Sequence, residues 1–415
     1  VEEVGAPALK KDGHADDAAT HSGGGAKKVL IHYPVFNRGG AEKSLLRLMA
    51  GLAQRGHEVH LVLTSAGGAL EAEVDPRVRI HHLRSVRTWD IGAAGRGPRA
   101  LAAPMRGMRW MIGRAQEFSR RRRFRAMTFD AAFTGIAGLS PDFICNVVRA
   151  RKRFVFVRND PAVDRRGRWA ERIRDFHDRI DGYVCVSRFV EQAMGSRFPE
   201  IAGKLVTVYN LLDAESMRTK ATTGGDPFPE AGGVLRIVSV CRLLESQKAL
   251  LRMVEVHRRL LEAGFAHAWH VLGDGPDRGL LEHAIGDHGV AGTFILHGDV
   301  ANPFPYYKHA DICAVLSRYE GLCGVVNEAR VLERPVIATR FSGIEEQIEH
   351  GVNGLIVEQD VESICDGMAS LIRDVEIRKR LAVGGYPVAL LDDGLKLDAL
   401  LELIAGKSSV VAGIQ

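Results

Sequence analysis

The sequence has little of what would mark a small secreted scaffold, a fibre or a membrane span. Its 415 residues include only six cysteines (Cys145, Cys185, Cys241, Cys313, Cys323 and Cys365), far apart and with no C-x-x-C pair. That excludes a disulfide framework and a thiolate metal site, and fits reduced, mostly buried thiols of a cytosolic protein. No apolar run approaches the roughly 18–20 uncharged residues needed to cross a bilayer. Val1 to Lys28 is polar and does not read as a secretory signal. Residues 1–26 hold too few large aliphatics to offset their ordering entropy, and a flexible tail is expected there. There is no repeat of fixed period and no Asp-x-Asp. Hydrophobic residues at 46% and charged residues at 26% describe a soluble globular chain, and its length allows two or three domains.

The net charge of +5 hides a split. Residues 1–212 carry 36 Lys and Arg against 22 Asp and Glu, a net of +14, which leaves a net of −9 for residues 213–415. A change of sign halfway along the chain implies two domains with different partners, the first of them anionic. Glu215 to Gly233 is poor in large apolar residues and rich in Thr, Gly and Pro, as a linker would be. The expected organisation is a tail over 1–26, a first domain over 27–213, a linker over 214–233, a second domain over 234–385, and a C-terminal helix and tail over 386–415.

Each half alternates short apolar runs with helical patterns. Strands are expected at Lys28–Tyr33, Glu58–Leu63, Arg79–Leu83, Ala131–Phe133, Phe154–Val157, Gly182–Val186 and Leu205–Tyr209. The second half continues with Leu235–Val240, Trp269–Leu272, Phe294–Leu296, Ile312–Val315, Val336–Ala338 and Gly354–Val357. Helical stretches lie at Glu42–Gln54, Leu250–Ala263, Arg278–His288, Val325–Leu332 and Val361–Ile372. Such alternation makes parallel sheets covered on both faces, here two Rossmann-like α/β domains, whose ligands sit at the carboxyl ends of the strands.

The most informative stretch runs from Ser317 to Ala329. A strand enters a turn with Glu320, Gly321, Leu322 and Cys323, and a helix begins near Gly324 and Val325. Amides of residues 321–325 would point outward at a helix N-terminus, where a phosphate is favoured. Glu320 in the turn and Glu328 one turn inside the helix are acceptor-only carboxylates suited to sugar hydroxyls on either side of a pyrophosphate. The same spacing also fits a structural turn with two solvated glutamates. Arg242 closes the strand Leu235–Val240 and Lys248 follows six residues later. A permanent guanidinium fork and a mobile ammonium suit a diphosphate, although an exposed loop with surface cations looks alike. Gly273 opens the tight turn Gly273-Asp274-Gly275-Pro276, more structural than ligand-binding on its own. His297 closes another strand and could lie beside a nucleobase.

In the first half, Gly39 and Gly40 follow the first strand and permit close approach of a ligand to the backbone, as they would in any turn. Arg158, Asn159 and Asp160 follow the strand Phe154–Val157 and could line a cleft or cap a helix. Residues Arg96 to Arg125 hold ten arginines and one acid, Glu117, interleaved with Leu101, Met105, Met108, Trp110, Met111 and Ile112. This basic amphipathic composition suits an anionic membrane interface; a solvated helix face and a nucleic-acid surface are the alternatives. No nucleic-acid-binding motif accompanies it, so no nucleic-acid partner is expected.

Taken in order, Gly39-Gly40-Ala41-Glu42, Arg242 with Lys248, Gly273-Asp274-Gly275-Pro276, Asn302-Pro303-Phe304-Pro305-Tyr306-Tyr307-Lys308 and Glu320-x7-Glu328 resemble glycosyltransferase family 4. Pro335 to Thr339, Gly343 with Glu345, and Gly351 to Val357 extend the resemblance over about residues 27–385, most closely to bacterial members that build surface polysaccharides. It implies a GT-B fold, with two Rossmann-like parallel-sheet domains facing a cleft and a nucleotide-diphosphate sugar (UDP- or GDP-linked) held mainly by the second. Arg242 and Lys248 would hold the diphosphate, Glu328 the ribose hydroxyls and Glu320 the donor sugar, as the catalytic and binding residues. Gly39 and Gly40 would abut the donor phosphate from the first domain.

The family transfers with retention and without a bound metal or other cofactor, and the acceptor here would be a glycan or a lipid-linked saccharide at the inner face of the cell membrane. Ala249 stands where the family usually has Gly, and the Arg242–Lys248 spacing is one residue longer than its common form. Arg158-Asn159-Asp160 occupies the region where many members carry a His. The competing readings are another GT-B enzyme, such as an epimerase or a phosphorylase, and a non-catalytic basic membrane- or nucleic-acid-binding scaffold.

Overall fold

A computed structural model describes residues 25–37, 39–84, 114–164, 166–228 and 233–407. The expected tail up to residue 24 and the arginine-rich segment from Arg96 to residue 113 lie outside the described residues. Two sheets organise the chain. The first has seven strands: β1 (Lys28–Tyr33), β2 (Glu58–Ser65), β3 (Arg79–Arg84), β4 (Thr128–Thr134), β5 (Arg149–Val157), β6 (Gly182–Cys185) and β7 (Leu205–Thr207). Their spatial order is β3-β2-β1-β4-β5-β6-β7. The second has six: β8 (Leu235–Val240), β9 (His267–Leu272), β10 (Phe294–Gly298), β11 (Ile312–Val315), β12 (Val336–Thr339) and β13 (Leu355–Val357), in the order β10-β9-β8-β11-β12-β13.

Every pairing within both sheets is parallel. Strands buried on both faces must be apolar almost throughout, which is why β1, β6, β11 and β12 read as continuous hydrophobic runs. Each sheet accordingly carries a packed cluster on either side. In both orders the strand direction of winding reverses beside the first strand of the sheet, β1 or β8, so each domain presents its crevice where β1 meets β4 and β8 meets β11.

Two of the differences from the sequence expectation have a clear physical reason. β5 begins at Arg149, five residues before the apolar run, because Arg149–Arg153 alternates exposed and half-buried side chains while its backbone pairs with β4. The stretch expected to be a linker carries a helix, Ala214–Ala221, and Met217, Ala221 and Phe228 are buried in the core of the second domain. Met217 and Ala221 are four apart, so a single face of this short helix supplies the contact.

Four further helices position the cleft: α1 (Gly40–Gln54), α2 (Arg188–Arg197), α3 (Gly324–Val331) and α4 (Asp393–Ala405). The last of these, within the stretch expected to hold a C-terminal helix, returns the chain to the first domain. Leu397, Leu400 and Ile404 join the cluster formed by α1 and the first sheet. Gly51 of α1 makes room, since a Cβ there would stand 2.9 Å from Leu397. Lys396, almost fully buried, donates to the carbonyls of Asn210 (3.0 Å) and Leu390 (2.7 Å) and to Asp393 (2.8 Å). Asp393 in turn accepts the N–H groups of Leu212 and Asp213, so the two passages of chain between the domains are bonded to each other.

Candidate active site

The wall contributed by the second domain is built on glycines. At Gly273 (φ +135°) a Cβ would collide with the carbonyl of Cys241, and at Gly275 with that of Leu243. The Leu243 N–H donates to the Asp274 carbonyl (3.1 Å) and the Glu245 N–H to the Asp277 carboxylate (2.7 Å). The Gly-Asp-Gly-Pro turn is therefore the bed on which the loop after β8 lies. That loop leaves Arg242 exposed, with its charge felt by Glu42 across the cleft. Lys248, at the end of a short turn of helix, forms an ion pair with Glu320; the side chains are 13% and 11% exposed. Burial works against the Lys248 charge, but the Glu320 carboxylate outweighs it and holds the ammonium above its ordinary range. Gln247 Nε2 also reaches Glu320 (3.4 Å).

The loop from β11 to α3 crosses to the first domain. A Cβ on Gly321 would collide with the Arg158 carbonyl, Leu322 packs on a core cluster of the first domain, and the Gly321 carbonyl accepts from Ser187 Oγ (2.9 Å). Not all amides of this loop are open: Gln347 Oε1 accepts the Cys323 N–H (3.0 Å) and its Nε2 donates to the Cys323 carbonyl (2.9 Å). No side chain caps α3, whose first residues are Gly324 and Val325. Glu328, one turn inside, is 8% exposed. Its two oxygens accept from Tyr307 (3.0 Å) of its own domain and from Arg47 (3.3 Å) of α1 in the other.

On the opposite wall, α1 begins at Gly40, and the Glu42 carboxylate folds back against Gly39. Burial raises the Glu42 carboxyl above its ordinary range, against the opposing effects of a hydrogen bond from Tyr33 and the charges of Arg158 and Arg242. Arg158 differs from its expected role as a substrate ligand. Its guanidinium turns inward, donating to Gly135 O (3.2 Å), Ser44 Oγ (2.9 Å) and Asn210 Oδ1 (2.9 Å), over the ring of Phe156. Burial lowers its pKa to about 10. Asp160 likewise serves as a cap, accepting the Ala162 N–H (2.8 Å), with half-buried Asn159 between them. His297 lies at the carboxyl end of β10, hydrogen-bonded to His270 (2.9 Å) and within 3.4 Å of the Tyr306 hydroxyl.

The structure thus pairs Lys248 with Glu320, sets Arg242 where its charge acts on Glu42 beside Gly39 and Gly40, and joins Glu328 to the other domain through Arg47. Arg47, Tyr307, Gln347 and Glu42 join them without having been assigned roles from sequence. Tyr307 lies in the quoted Asn-Pro-Phe-Pro-Tyr-Tyr stretch and Glu42 in the Gly-Gly-Ala-Glu turn. Arg47, an ordinary helix-surface cation by spacing, carries no local signal. Among the described residues no group of three His, Cys, Asp or Glu side chains is arranged to hold a metal ion, and no helix is long and apolar enough to cross a membrane.

Two parallel Rossmann-like sheets, with cations and carboxylates in the loops after their strands, define the GT-B class. Residues 38–216 match the model of Glycosyltransferase Family 4 and residues 235–374 that of Glycosyl transferases group 1. The chain belongs to glycosyltransferase family 4. Among curated relatives it is 27% identical over 194 residues to an alpha-D-kanosaminyltransferase of Streptomyces kanamyceticus, covering 43% of this chain and 50% of that one. It is 29% identical over 174 residues to the lipopolysaccharide core biosynthesis glycosyltransferase LpsE of Rhizobium meliloti, covering 41% and 50%. The matched region thus spans about half the length of each of these relatives. The fold is similar to that of Anabaena HepE solved with UDP and glucose (TM-score 0.67, 16% identity, 91% of this chain and 99% of that one). It is also similar to an S. aureus TarM variant solved with fondaparinux, alpha-GlcNAc-glycerol and UDP (TM-score 0.69, 12% identity, 91% and 99%).

Proposed function

We propose that this chain moves a sugar, with retention and without a metal, from a nucleoside-diphosphate sugar to a saccharide or lipid-linked acceptor in bacterial surface-polysaccharide or glycolipid synthesis. The observation that carries the reading is the Lys248–Glu320 ion pair joining the loops after β8 and β11, with Arg242, also after β8, close enough for its charge to act on Glu42 in the turn that follows Gly39 and Gly40. The diphosphate would lie against Arg242 and Lys248, with the α3 N-terminus beside it. Phosphate oxygens compete with Glu320 for the Lys248 ammonium, which frees the Glu320 carboxylate for hydroxyls of the donor sugar. Glu328, held by Tyr307 on one oxygen and by Arg47 on the other, would exchange the Arg47 contact for the ribose hydroxyls.

In the chemical step the bond from the sugar's anomeric carbon to the phosphate oxygen breaks. The acceptor oxygen bonds to that carbon on the same face and gives its proton to the departing phosphate oxygen. Charge builds on the diphosphate as it leaves, and the two cations are already in place to meet it. No enzymic base is needed for this route. The basic first domain would face an anionic membrane bearing the acceptor, with the protein cytoplasmic and peripheral.

Calorimetric titration with UDP and GDP tests the reading, and binding of neither would remove it. Glu328→Ala should weaken nucleotide binding by about 1–3 kcal/mol, the range for losing a charged hydrogen-bond acceptor. Glu320→Ala should chiefly lower kcat in a nucleotide-sugar hydrolysis or transfer assay. Wild-type values for both variants would reject the assigned site.

A further inference from the structure

The two domains meet through a second set of contacts, made by residues other than the cations and the acidic pair. After β12, Gly343 (φ +80°) turns the chain into a short helical segment, Ile344–Glu346, and a Cβ on Gly343 would stand 3.0 Å from Phe189 Cβ. The segment is therefore pressed onto the first turn of α2 in the other domain. There the Glu346 carboxylate accepts three hydrogen bonds. Oε1 takes the Phe189 N–H (2.7 Å), while Oε2 takes the Arg188 N–H (2.9 Å) and the Tyr209 hydroxyl (2.8 Å).

The first N–H groups of a helix have no partner within it, and an anion at that end is favoured. α2 satisfies one from its own Ser187, whose Oγ accepts the Val190 N–H (3.2 Å), and two more from the opposite domain. The same Ser187 Oγ donates to the Gly321 carbonyl in the Glu320 loop.

Gln347, the next residue along, faces the other way. Fully buried, it grips both backbone groups of Cys323 and donates to Asn327 Oδ1. One dipeptide thus holds the first domain with one side chain and the Glu320–Gly324 loop with the other. We propose that Glu346 and Gln347 are positioning residues that couple docking of the two domains to the shape of the donor loop, Glu346 acting as the latch. Separating the domains strips Glu346 from α2 and Ser187 from Gly321 together, so the loop loses its cross-domain support as the latch opens. The proposal rests on the glycosyltransferase reading for its kinetic consequence but not for its structural one.

The test is Glu346→Gln, whose amide has one oxygen where the carboxylate uses two. Small-angle scattering of the full chain without ligand should show a larger radius of gyration than the wild type. The kcat for the nucleotide sugar that the wild type turns over should fall at least tenfold, with its KM within twofold. Tyr209→Phe removes one of the three bonds and should move both readouts in the same direction, by a smaller step. An unchanged radius of gyration in folded Glu346→Gln overturns the latch, as does a loss of donor affinity matching the loss of kcat. If Glu346→Gln does not fold, an unchanged radius and kcat in Tyr209→Phe overturn it. A wild type that binds no nucleotide ends the functional reading, while the scattering comparison still decides the latch.

Discussion

Ala249 shows how one backbone angle separates this chain from the pattern it resembles. It sits at φ +53° and is fully buried, between the turn that carries Lys248 and the helix Leu250–Glu262. A left-handed residue with a Cβ costs roughly 1–2 kcal/mol, which explains why glycine is usual at this position. Ala249→Gly removes that strain, but loosens the unfolded chain by roughly 0.5–1 kcal/mol and gives up a buried methyl worth about 0.8 kcal/mol. The net change should stay within about 1 kcal/mol of zero. Ala249→Val adds a branched side chain where neither the angle nor the packing allows it, and should destabilise by about 2–4 kcal/mol. Urea unfolding of the two variants checks the contrast, and equal midpoints would contradict it. At this scale the sequence conveys residue types but not their pairing. Arg242 and Lys248 look equivalent as cations, yet one is exposed and the other is held by Glu320. Arg158 looks like a cleft residue until its guanidinium is found among Gly135, Ser44 and Asn210, contributed by three separate segments.

At the scale of elements, the described end of the arginine-rich segment is a helix over residues 114–124. Its inner face is tied down. Glu117 accepts from Arg84 (2.8 Å), Arg121 bonds Asp142, and Phe124 is buried. These residues are spaced by four and three, the repeat of a single helix face. The other face carries Phe118, 66% exposed, with Arg122 four residues on and Arg123 beside it. An exposed aromatic flanked by cations is the composition of a helix lying in an anionic interface. Each cation near such a surface contributes about 1 kcal/mol. Arg122→Ala with Arg123→Ala should therefore lower partitioning to phosphatidylserine-containing vesicles by about 30-fold. Cosedimentation measures this, and equal pelleting would dismiss the membrane role of this face. The strands were legible because parallel, doubly covered strands must be apolar runs. Where that logic fails, reading fails too. Arg149–Arg153 is strand by pairing, not by hydrophobicity, and Ala214–Ala221 is a helix whose apolar face is only Met217 and Ala221. Arg47 reaches Glu328 only because α1 and α3 face one another across the domains, which no local pattern records.

The whole molecule carries a pH dependence set by its histidines. Three pairs of histidines share single hydrogen bonds: His60 with His81 (2.9 Å), His257 with His267 (2.8 Å) and His270 with His297 (2.9 Å). A bond between two imidazoles needs one ring to donate and the other to accept, so protonating both members of a pair breaks it. Burial, and then the neighbouring imidazole, lowers His81 and His270 to about 4 and His257 to about 3. His32, against Phe143, is lowered to about 3 by burial and by Arg121. In the unfolded chain all four titrate near 6.5. Between that value and about 4 the unfolded state binds more protons than the folded one, so stability falls as pH falls. Glu42 acts in the opposite sense: its raised carboxyl takes up a proton more readily when folded, which gains stability on acidification. One such group set against four buried imidazoles leaves the net sign with the histidines. The melting temperature should be level above about pH 7 and decline steadily from about 6.5 towards 4.5; the ion-paired Asp75 and Glu255, both lowered to about 2 in the fold, add to the fall once the same carboxyls of the unfolded chain protonate, at about pH 4. A melting temperature that holds constant down to pH 5 would mean that these imidazoles are already charged in the fold, and that the three pairs are not hydrogen-bonded as they stand here.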